Sequence, residues 1–97
     1  MPKPKKAARG KHRWIAFQVN RSVKRDSLQK LLGKGLEGLE WKLFDMENQS
    51  ERTLAVLKIS LSDYSEALTM LNNIDDFVTI TSSGKIRLVR ERMKSYM

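Results

Sequence analysis

Two segments of the chain alternate like β-strands yet are largely apolar on both faces, and this pattern constrains the fold more than any other. In residues 13–19 the two faces consist of Ile15, Phe17 and Val19 and of Trp14, Ala16 and Gln18. In residues 53–60 they consist of Ala55, Leu57 and Ile59 and of Leu54 and Val56. A strand that is apolar on both faces is typical of the centre of a sheet covered on both sides. We therefore expect these segments to be the two central strands.

Helical periodicity predicts three helices around these strands. Leucines at i, i+3 and i+4 spacing predict a first helix capped by Asp26 or Ser27. Its regular part is expected to end near Gly33, because glycine weakens a helix interior. A second helix is predicted after the cap Ser62, and a third after the turn at Gly84. The order of elements is then strand, helix, strand, strand, helix, strand and terminal helix.

This order predicts an α+β fold. The second strand is expected at residues 40–46, with a turn at residues 47–52. Strict alternation places Trp41 and Leu43 on one face of that strand and Lys42, Phe44 and Met46 on the other. The predicted fold is the ferredoxin-like, RRM-like βαββαβ arrangement, an antiparallel four-stranded sheet, with an additional C-terminal helix. The terminal helix, a partner protein or both are expected to cover the second face of the sheet.

Length and composition indicate one small domain without cysteine chemistry. We predict a flexible basic arm at residues 1–11 and a single α/β sandwich domain at residues 12–97. With no cysteine and with His12 as the only histidine, the chain lacks the ligands for a zinc site. No apolar run approaches the roughly 18–20 residues of a membrane span, so we expect a cytoplasmic protein without membrane contact.

The net charge of +8 is concentrated at the two ends of the chain. Residues 1–13 carry a charge of +6, residues 14–84 carry −2, and residues 85–97 carry +4. A nearly neutral body with two basic ends is typical of a protein that binds a polyanion such as RNA. The alternative for the arm is a solubilising tail that contacts nothing.

The terminal helix combines an apolar side with a basic one. The apolar side consists of Ile86, Val89 and Met93.

A helix start presents unpaired N–H groups and a partial positive charge, so we predict a phosphate site at Ser83, Gly84 and Lys85. A P-loop is excluded, because Thr79 and Ile86 stand where that motif needs glycine and a hydroxyl residue.

No pattern of residues predicts a catalytic site. Asp63 and Glu66 stand where helix caps and dipole partners belong, and the adjacent Asp75 and Asp76 should diverge in a turn. No serine or threonine is accompanied by a recognisable base. We therefore expect a chain that is not an enzyme on its own and binds no cofactor or metal. The alternative is a small magnesium-dependent nuclease that uses Asp75 and Asp76.

The predicted RNA contacts lie at the two basic ends. They are Lys5, Lys6, Arg9, Lys11, Arg13, Ser83, Lys85, Arg87 and Arg90. Trp14 and Phe44 are suited to stacking on bases, but such residues more often fill a core or a protein interface. Residues 53–60 also lack the aromatic residues of the usual RNA-recognition signature. We therefore assign Trp14, Phe44 and Leu57 to a protein interface.

Several blocks resemble the archaeal ribonuclease P protein component 2 family, relatives of a small conserved subunit of the eukaryotic enzyme. The blocks are residues 13–19, 43–45, 55–60, 64–71 and 83–87, so that the resemblance covers about residues 12–93. The first and last blocks are the most specific. The sequence departs from the family in two ways. The segment between the first two strands is short and interrupted by glycines, and Lys85 stands where the family often has threonine.

The resemblance implies a protein subunit of ribonuclease P, the ribonucleoprotein whose RNA removes the 5′ leader from precursor tRNA. It implies ribonuclease P RNA and a barrel-type ribonuclease P protein as direct partners, with precursor tRNA as an indirect one. Magnesium is expected with the RNA rather than on the chain. Homodimerisation is left open. The alternative is a protein-interaction module of the same fold, whose basic ends contact an acidic protein instead of RNA.

Overall fold

The computed structural model describes residues 12–96, which form an α+β fold with a four-stranded antiparallel sheet and three α-helices. The strands are β1 (His12–Val19), β2 (Trp41–Gln49), β3 (Arg52–Ser60) and β4 (Phe77–Ser83). The α-helices are α1 (Arg25–Gly35), α2 (Tyr64–Asn72) and α3 (Ile86–Tyr96), and a single 3₁₀ turn (Leu61–Asp63) leads into α2. The prediction of an α+β chain with an antiparallel sheet and a terminal helix is confirmed. Within the described range no helix is long and apolar enough to cross a membrane.

The strands lie in the order β2-β3-β1-β4, and each neighbouring pair is antiparallel. The two central strands, β1 and β3, are the two segments that are apolar on both faces. They are hydrogen-bonded along both edges and covered on both sides, which is the environment that the pattern predicts. This part of the sequence-based prediction is confirmed.

The helices α1 and α2 cover one face of the sheet and enclose the main core. The strands contribute Ile15, Phe17, Val19, Leu43, Ala55, Leu57, Ile59 and Phe77, and the helical side contributes Leu28, Leu32, Leu36, Ala67 and Leu71. The rings of Phe17 and Phe77 stack with their centroids 5.5 Å apart and their planes at 11°. Burial of these side chains is the main source of stability for the domain.

The terminal helix α3 covers the middle of the second face. Its buried residues Val89 and Met93 pack on a smaller cluster formed by Ala16, Leu54 and Val56. Trp14 and Ile80 are partly buried against the same cluster. Of the two covers predicted for this face, the terminal helix is confirmed, and a partner protein stays a prediction.

The predicted faces of β2 require a correction. The pairing of β2 with β3 shifts between Leu43 and Asp45, which is the signature of a β-bulge at Phe44. Because a bulge adds one residue, Met46 pairs with Ala55 and packs on the main core instead of sharing a face with Lys42. The strand also continues to Gln49, so the turn at residues 50–51 is shorter than predicted.

The predicted helix boundaries also require correction. The first helix begins at Arg25, with Lys24 at the cap position and no side-chain capping bond, so neither Asp26 nor Ser27 is the cap. It continues through Gly33 to Gly35 because Leu32 and Leu36 are both anchored in the main core. Ser62 lies inside the 3₁₀ turn rather than capping α2.

Only one of the two glycines of α1 should gain stability when it is replaced by alanine. Gly33 is exposed, and a Cβ at this position would meet no atom within 4 Å. We expect Gly33→Ala to raise the free energy of unfolding by about 0.5–1 kcal/mol, because alanine restricts the unfolded chain. A Cβ on Gly35 would lie 2.7 Å from Cγ1 of Ile74, and nearer still to its Cδ1. Gly35→Ala should therefore bring no gain. Urea denaturation of both variants checks this, and equal stabilisation by both would contradict the packing of Ile74.

Candidate nucleic-acid interface

The helix α3 presents its buried side to the sheet and basic side chains to solvent. The residues on its remaining sides include Arg87, Arg90, Arg92 and Lys94, and Lys85 immediately precedes its first residue; all five are exposed. Glu91 is the only acid in the helix. The helix that completes the second hydrophobic cluster is thus also the most basic element among the described residues.

Arg90 is engaged within the chain. Its Nε and Nη2 donate to the two carboxylate oxygens of Asp45 on β2, at 2.7 and 3.1 Å. Hydrogen bonding to Asp45, together with the opposite charge, raises the pKa of the Arg90 guanidinium above its already high ordinary value. This bidentate pair fastens α3 to β2. Its predicted role in binding RNA stays a prediction, and here its charge is balanced by Asp45.

Arg92 fastens the other side of α3 to β4. Its Nη1 donates to Oγ1 of Thr81 at 2.9 Å and to the backbone oxygen of Ser82 at 3.2 Å. With Arg90 and Arg92 engaged in this way, Lys85, Arg87 and Lys94 are the cations of α3 that remain available. Among residues 12–96 no carboxylate lies within 4 Å of these three side chains. We call these three residues the basic flank of α3.

The predicted phosphate site lies at the start of α3, and its parts differ in accessibility. The hydroxyl of Ser83 is nearly buried and accepts a hydrogen bond from the backbone N–H of Lys85 at 3.2 Å, which fixes the turn before the helix. Gly84 and Lys85 are exposed. A Cβ on Gly84 would lie 3.7 Å from Nη1 of Arg13. The guanidinium of Arg13 also lies over the ring of Tyr64, 5.4 Å from its centroid. The fold therefore brings Arg13, Gly84 and Lys85 together at one end of the sheet.

At the same end, a row of residues crosses the second face from edge to edge. Lys42 on β2 is directly opposite Lys58 on β3, Lys58 is opposite Trp14 on β1, and Trp14 is opposite Ser83 on β4. Phe44 completes the group. Its ring meets that of Trp14 edge to face, with the centroids 4.7 Å apart and the planes at 87°. We call Lys42, Phe44, Lys58 and Trp14 the aromatic–lysine patch.

The two lysines of this patch lie over its two rings. The Nζ of Lys42 is 5.5 Å from the centroid of Phe44, and the Nζ of Lys58 is 5.7 Å from the centroid of Trp14. Neither lysine was identified from the sequence. The signal is their direct pairing across β2 and β3, which becomes visible only once the strand register is known.

The three residues assigned to a protein interface separate in the structure. Trp14 is half-buried and Phe44 is 36% exposed, and both lie on the second face. Leu57 lies on the opposite face, where it is completely buried in the main core. The side chain of Leu57 is therefore not available to a partner in this fold, whereas the two aromatic rings are.

Asp76, in the turn that follows α2, makes contacts within the fold. Asp76 has a left-handed backbone, with φ of 71°, and its backbone oxygen accepts a hydrogen bond from the N–H of Asn20 at 2.8 Å. Its carboxylate lies 3.8 Å from Nε of Arg21. Over residues 12–96 there is no group of three or more histidine or acidic side chains that could hold a metal ion.

Comparison of the chain with protein-family models, with curated proteins and with solved structures found no match. The relation to the archaeal ribonuclease P protein family therefore stays a prediction. The predicted contacts of the basic arm, Lys5, Lys6, Arg9 and Lys11, lie outside the described residues.

Proposed function

We propose that the chain is a non-catalytic RNA-binding subunit of ribonuclease P that acts in the cytoplasm. In this role it binds the catalytic RNA through phosphate contacts and supports it together with a barrel-type protein subunit. Cleavage of precursor tRNA is expected from the RNA and its magnesium, so that the chain contacts the substrate indirectly. The observation that carries the proposal is the basic flank of α3: Arg87 and Lys94 are exposed on a helix that is itself anchored to the sheet, and Lys85 is exposed immediately before it.

Anchoring is what makes this flank suited to a polyanion. Val89 and Met93 hold the helix on the sheet, and Arg90 and Arg92 hold its two sides. Lys85, Arg87 and Lys94 are therefore presented from a fixed element, and binding RNA need not order the helix as well. Phosphate neutralisation by such cations releases condensed counterions, which supplies affinity without reading a sequence.

The arrangement of the resembling blocks supports the same proposal. We assign the fold to the ferredoxin-like arrangement that many RNA-binding modules share, on the basis of its element order and its strand order. The two most specific blocks, at residues 13–19 and 83–87, are β1 and the passage from β4 into α3. They are neighbours in space, since Arg13 approaches Gly84. Because proteins with other functions share this fold, the proposed function rests on the basic residues of the site.

A protein-interaction module is the second candidate, and one feature favours it. A cleft of about 240 Å³ lies between α3 and residues 45–47 of β2, bordered by the apolar side chains of Leu54, Val56 and Met93. Such a cleft suits an apolar side chain of a partner protein. In a ribonuclease P subunit this surface and the basic flank would serve different partners. In a module dedicated to proteins, RNA binding would be absent.

Reconstitution tests the proposed function. The chain and a barrel-type ribonuclease P protein are added, singly and together, to a ribonuclease P RNA at low magnesium, and release of the 5′ leader from precursor tRNA is measured. We expect cleavage to depend on both proteins, because the RNA alone needs more magnesium to offset its own charge. Absence of stimulation with any candidate partner would count against the proposal. Cleavage by the chain and magnesium without RNA would contradict the non-catalytic role.

A further inference from the structure

We propose that the aromatic–lysine patch binds unpaired nucleotides of RNA. This inference rests on the proposed function and adds to it a second contact surface with a different preference. The basic flank of α3 contacts the backbone of structured RNA, and the patch takes bases that are free of pairing. It also assigns Trp14 and Phe44 to nucleobases, in place of the protein interface expected from the sequence.

The first argument is the pairing of two like charges. Lys42 and Lys58 are directly opposite each other on neighbouring strands, an arrangement that destabilises a sheet. Within the described part of the chain, neither ammonium group has a carboxylate within 4 Å. Glu40 borders the shallow depression beside them but forms no ion pair with either. A phosphate between the two lysines would replace this repulsion by attraction, so an anionic ligand fits this position.

The second argument is the position of the aromatic rings. Trp14 is the next residue in the row after Lys58, and Phe44 supports it edge to face. Both rings remain partly accessible because α3 covers the middle of the face, over Ala16, Leu54 and Val56, rather than this end. The flexible lysines that lie over the rings would move aside to the phosphate when a base stacks. Base–aromatic stacking beside lysines is the usual means by which proteins bind single strands. A nucleotide supplies both a flat π surface and a phosphate, which neither an acidic peptide nor a simple anion does.

The geometry favours unpaired nucleotides over a duplex. The row of four residues runs straight across four strands, a width of about 14 Å at the usual spacing of about 4.8 Å between strands. In an A-form duplex the bases are stacked inside the helix and offer no free face to a flat surface of this kind. The row also ends at Ser83, which is followed by Gly84 and the start of α3. The patch and the start of α3 are therefore neighbours on the molecule, so that one RNA strand could contact both.

Fluorescence of a single tryptophan tests the proposal on the full chain. Trp41→Phe removes the only other tryptophan, which packs against the main core, and leaves Trp14 as the reporter. The probe is an oligouridine of about eight nucleotides, compared with an RNA duplex that carries the same number of phosphates. We expect the oligouridine to quench Trp14 and to bind more tightly to the patch than the duplex does. The duplex should bind through the basic flank without quenching.

Two sets of variants separate stacking from charge. In the full chain, Trp14→Leu or Phe44→Leu should weaken binding of a labelled oligouridine, measured by its anisotropy, by roughly 5- to 100-fold, the range found for single stacking residues. Lys42→Gln with Lys58→Gln should weaken it by roughly 10-fold at about 0.1 M salt, since both cations that would hold the phosphate are removed. This double variant should keep or raise the melting temperature, because it removes the repulsion. Lys30→Gln with Lys34→Gln, on α1 at the opposite face, is the control of equal charge and should leave quenching unchanged.

The outcomes distinguish this inference from the proposed function. Binding of structured RNA without quenching by oligouridine overturns the inference and leaves the proposed function standing. An equal loss of oligouridine binding in the patch and control variants also overturns it. Protection of Trp14 by the barrel-type protein, with no response to oligouridine, would return the patch to a protein interface. Failure to bind RNA of either kind overturns both proposals.

Discussion

Replacing Lys85, Arg87 and Lys94 together by alanine is expected to weaken binding of structured RNA by roughly 100-fold at about 0.1 M salt. Each of these exposed cations can neutralise one phosphate, so each replacement lowers the number of counterions released on binding. The slope of log affinity against log salt should therefore become shallower by about 2–3. Fluorescence anisotropy of a labelled ribonuclease P RNA, measured at several salt concentrations, gives both quantities. The variant should fold normally, because none of the three side chains belongs to the buried side of α3.

A matched control is available on the opposite face of the molecule. Lys24, Lys30 and Lys34 are exposed residues on one side of α1 and at its start, and α1 packs on the sheet face away from α3. Replacing these three by alanine changes the net charge by the same amount. We expect a loss of affinity several times smaller, since only the long-range field changes. Equal losses in the two triple variants would show that RNA is attracted by net charge alone and would contradict a defined interface on α3.

Phe17→Ala should lower the free energy of unfolding by about 3–5 kcal/mol, the usual range for a fully buried phenylalanine. Phe17 is completely buried on the central strand β1 and stacks on Phe77 across the sheet. Its removal leaves a cavity between the sheet and the helices α1 and α2. A domain of this size has a total stability of only about 5–15 kcal/mol, so the variant should be close to unfolding. Urea denaturation at low temperature measures the loss.

Leu61→Ala is the control for this effect. Leu61 is 42% exposed in the 3₁₀ turn before α2 and belongs to neither hydrophobic cluster. Its replacement should change the free energy of unfolding by no more than about 0.5 kcal/mol. A loss of less than about 1 kcal/mol for Phe17→Ala would contradict the position of this ring in the main core.

The sheet could be predicted from the sequence because its pattern is strong and local. Alternation on both faces of β1 and β3 identifies central strands, and the apolar side of α3 identifies a helix that packs on the second face. The features that could not be predicted, a bulge in β2 and the end of α1, depend on single residues. The bulge at Phe44 moves Met46 to the opposite face, and nothing in the alternation of β2 marks where an extra residue is inserted. Tertiary burial of Leu36 extends α1 beyond Gly33 against its local propensity.

The candidate site was predictable only in its outline. The basic character of α3 follows from counting charges, but which of its arginines are already paired does not. The partner of Arg90 is Asp45, which is distant in sequence and is brought near by the placement of α3 over β2. The pairing of Lys42 with Lys58 likewise depends on the register of a hairpin that contains a bulge. Interactions between elements that are far apart in the chain are set by the register and the packing of the elements, which periodicity alone does not specify.

The salt dependence of RNA binding by the unmodified chain tests the central claim most directly. The dissociation constant for a ribonuclease P RNA is measured from about 50 to 200 mM salt. If about five or six phosphates are neutralised, log affinity should fall against log salt with a slope of about −3.5 to −5.5. A slope in that range supports a subunit that binds RNA through its basic surfaces. An affinity that does not change with salt, or no binding at all, would contradict it.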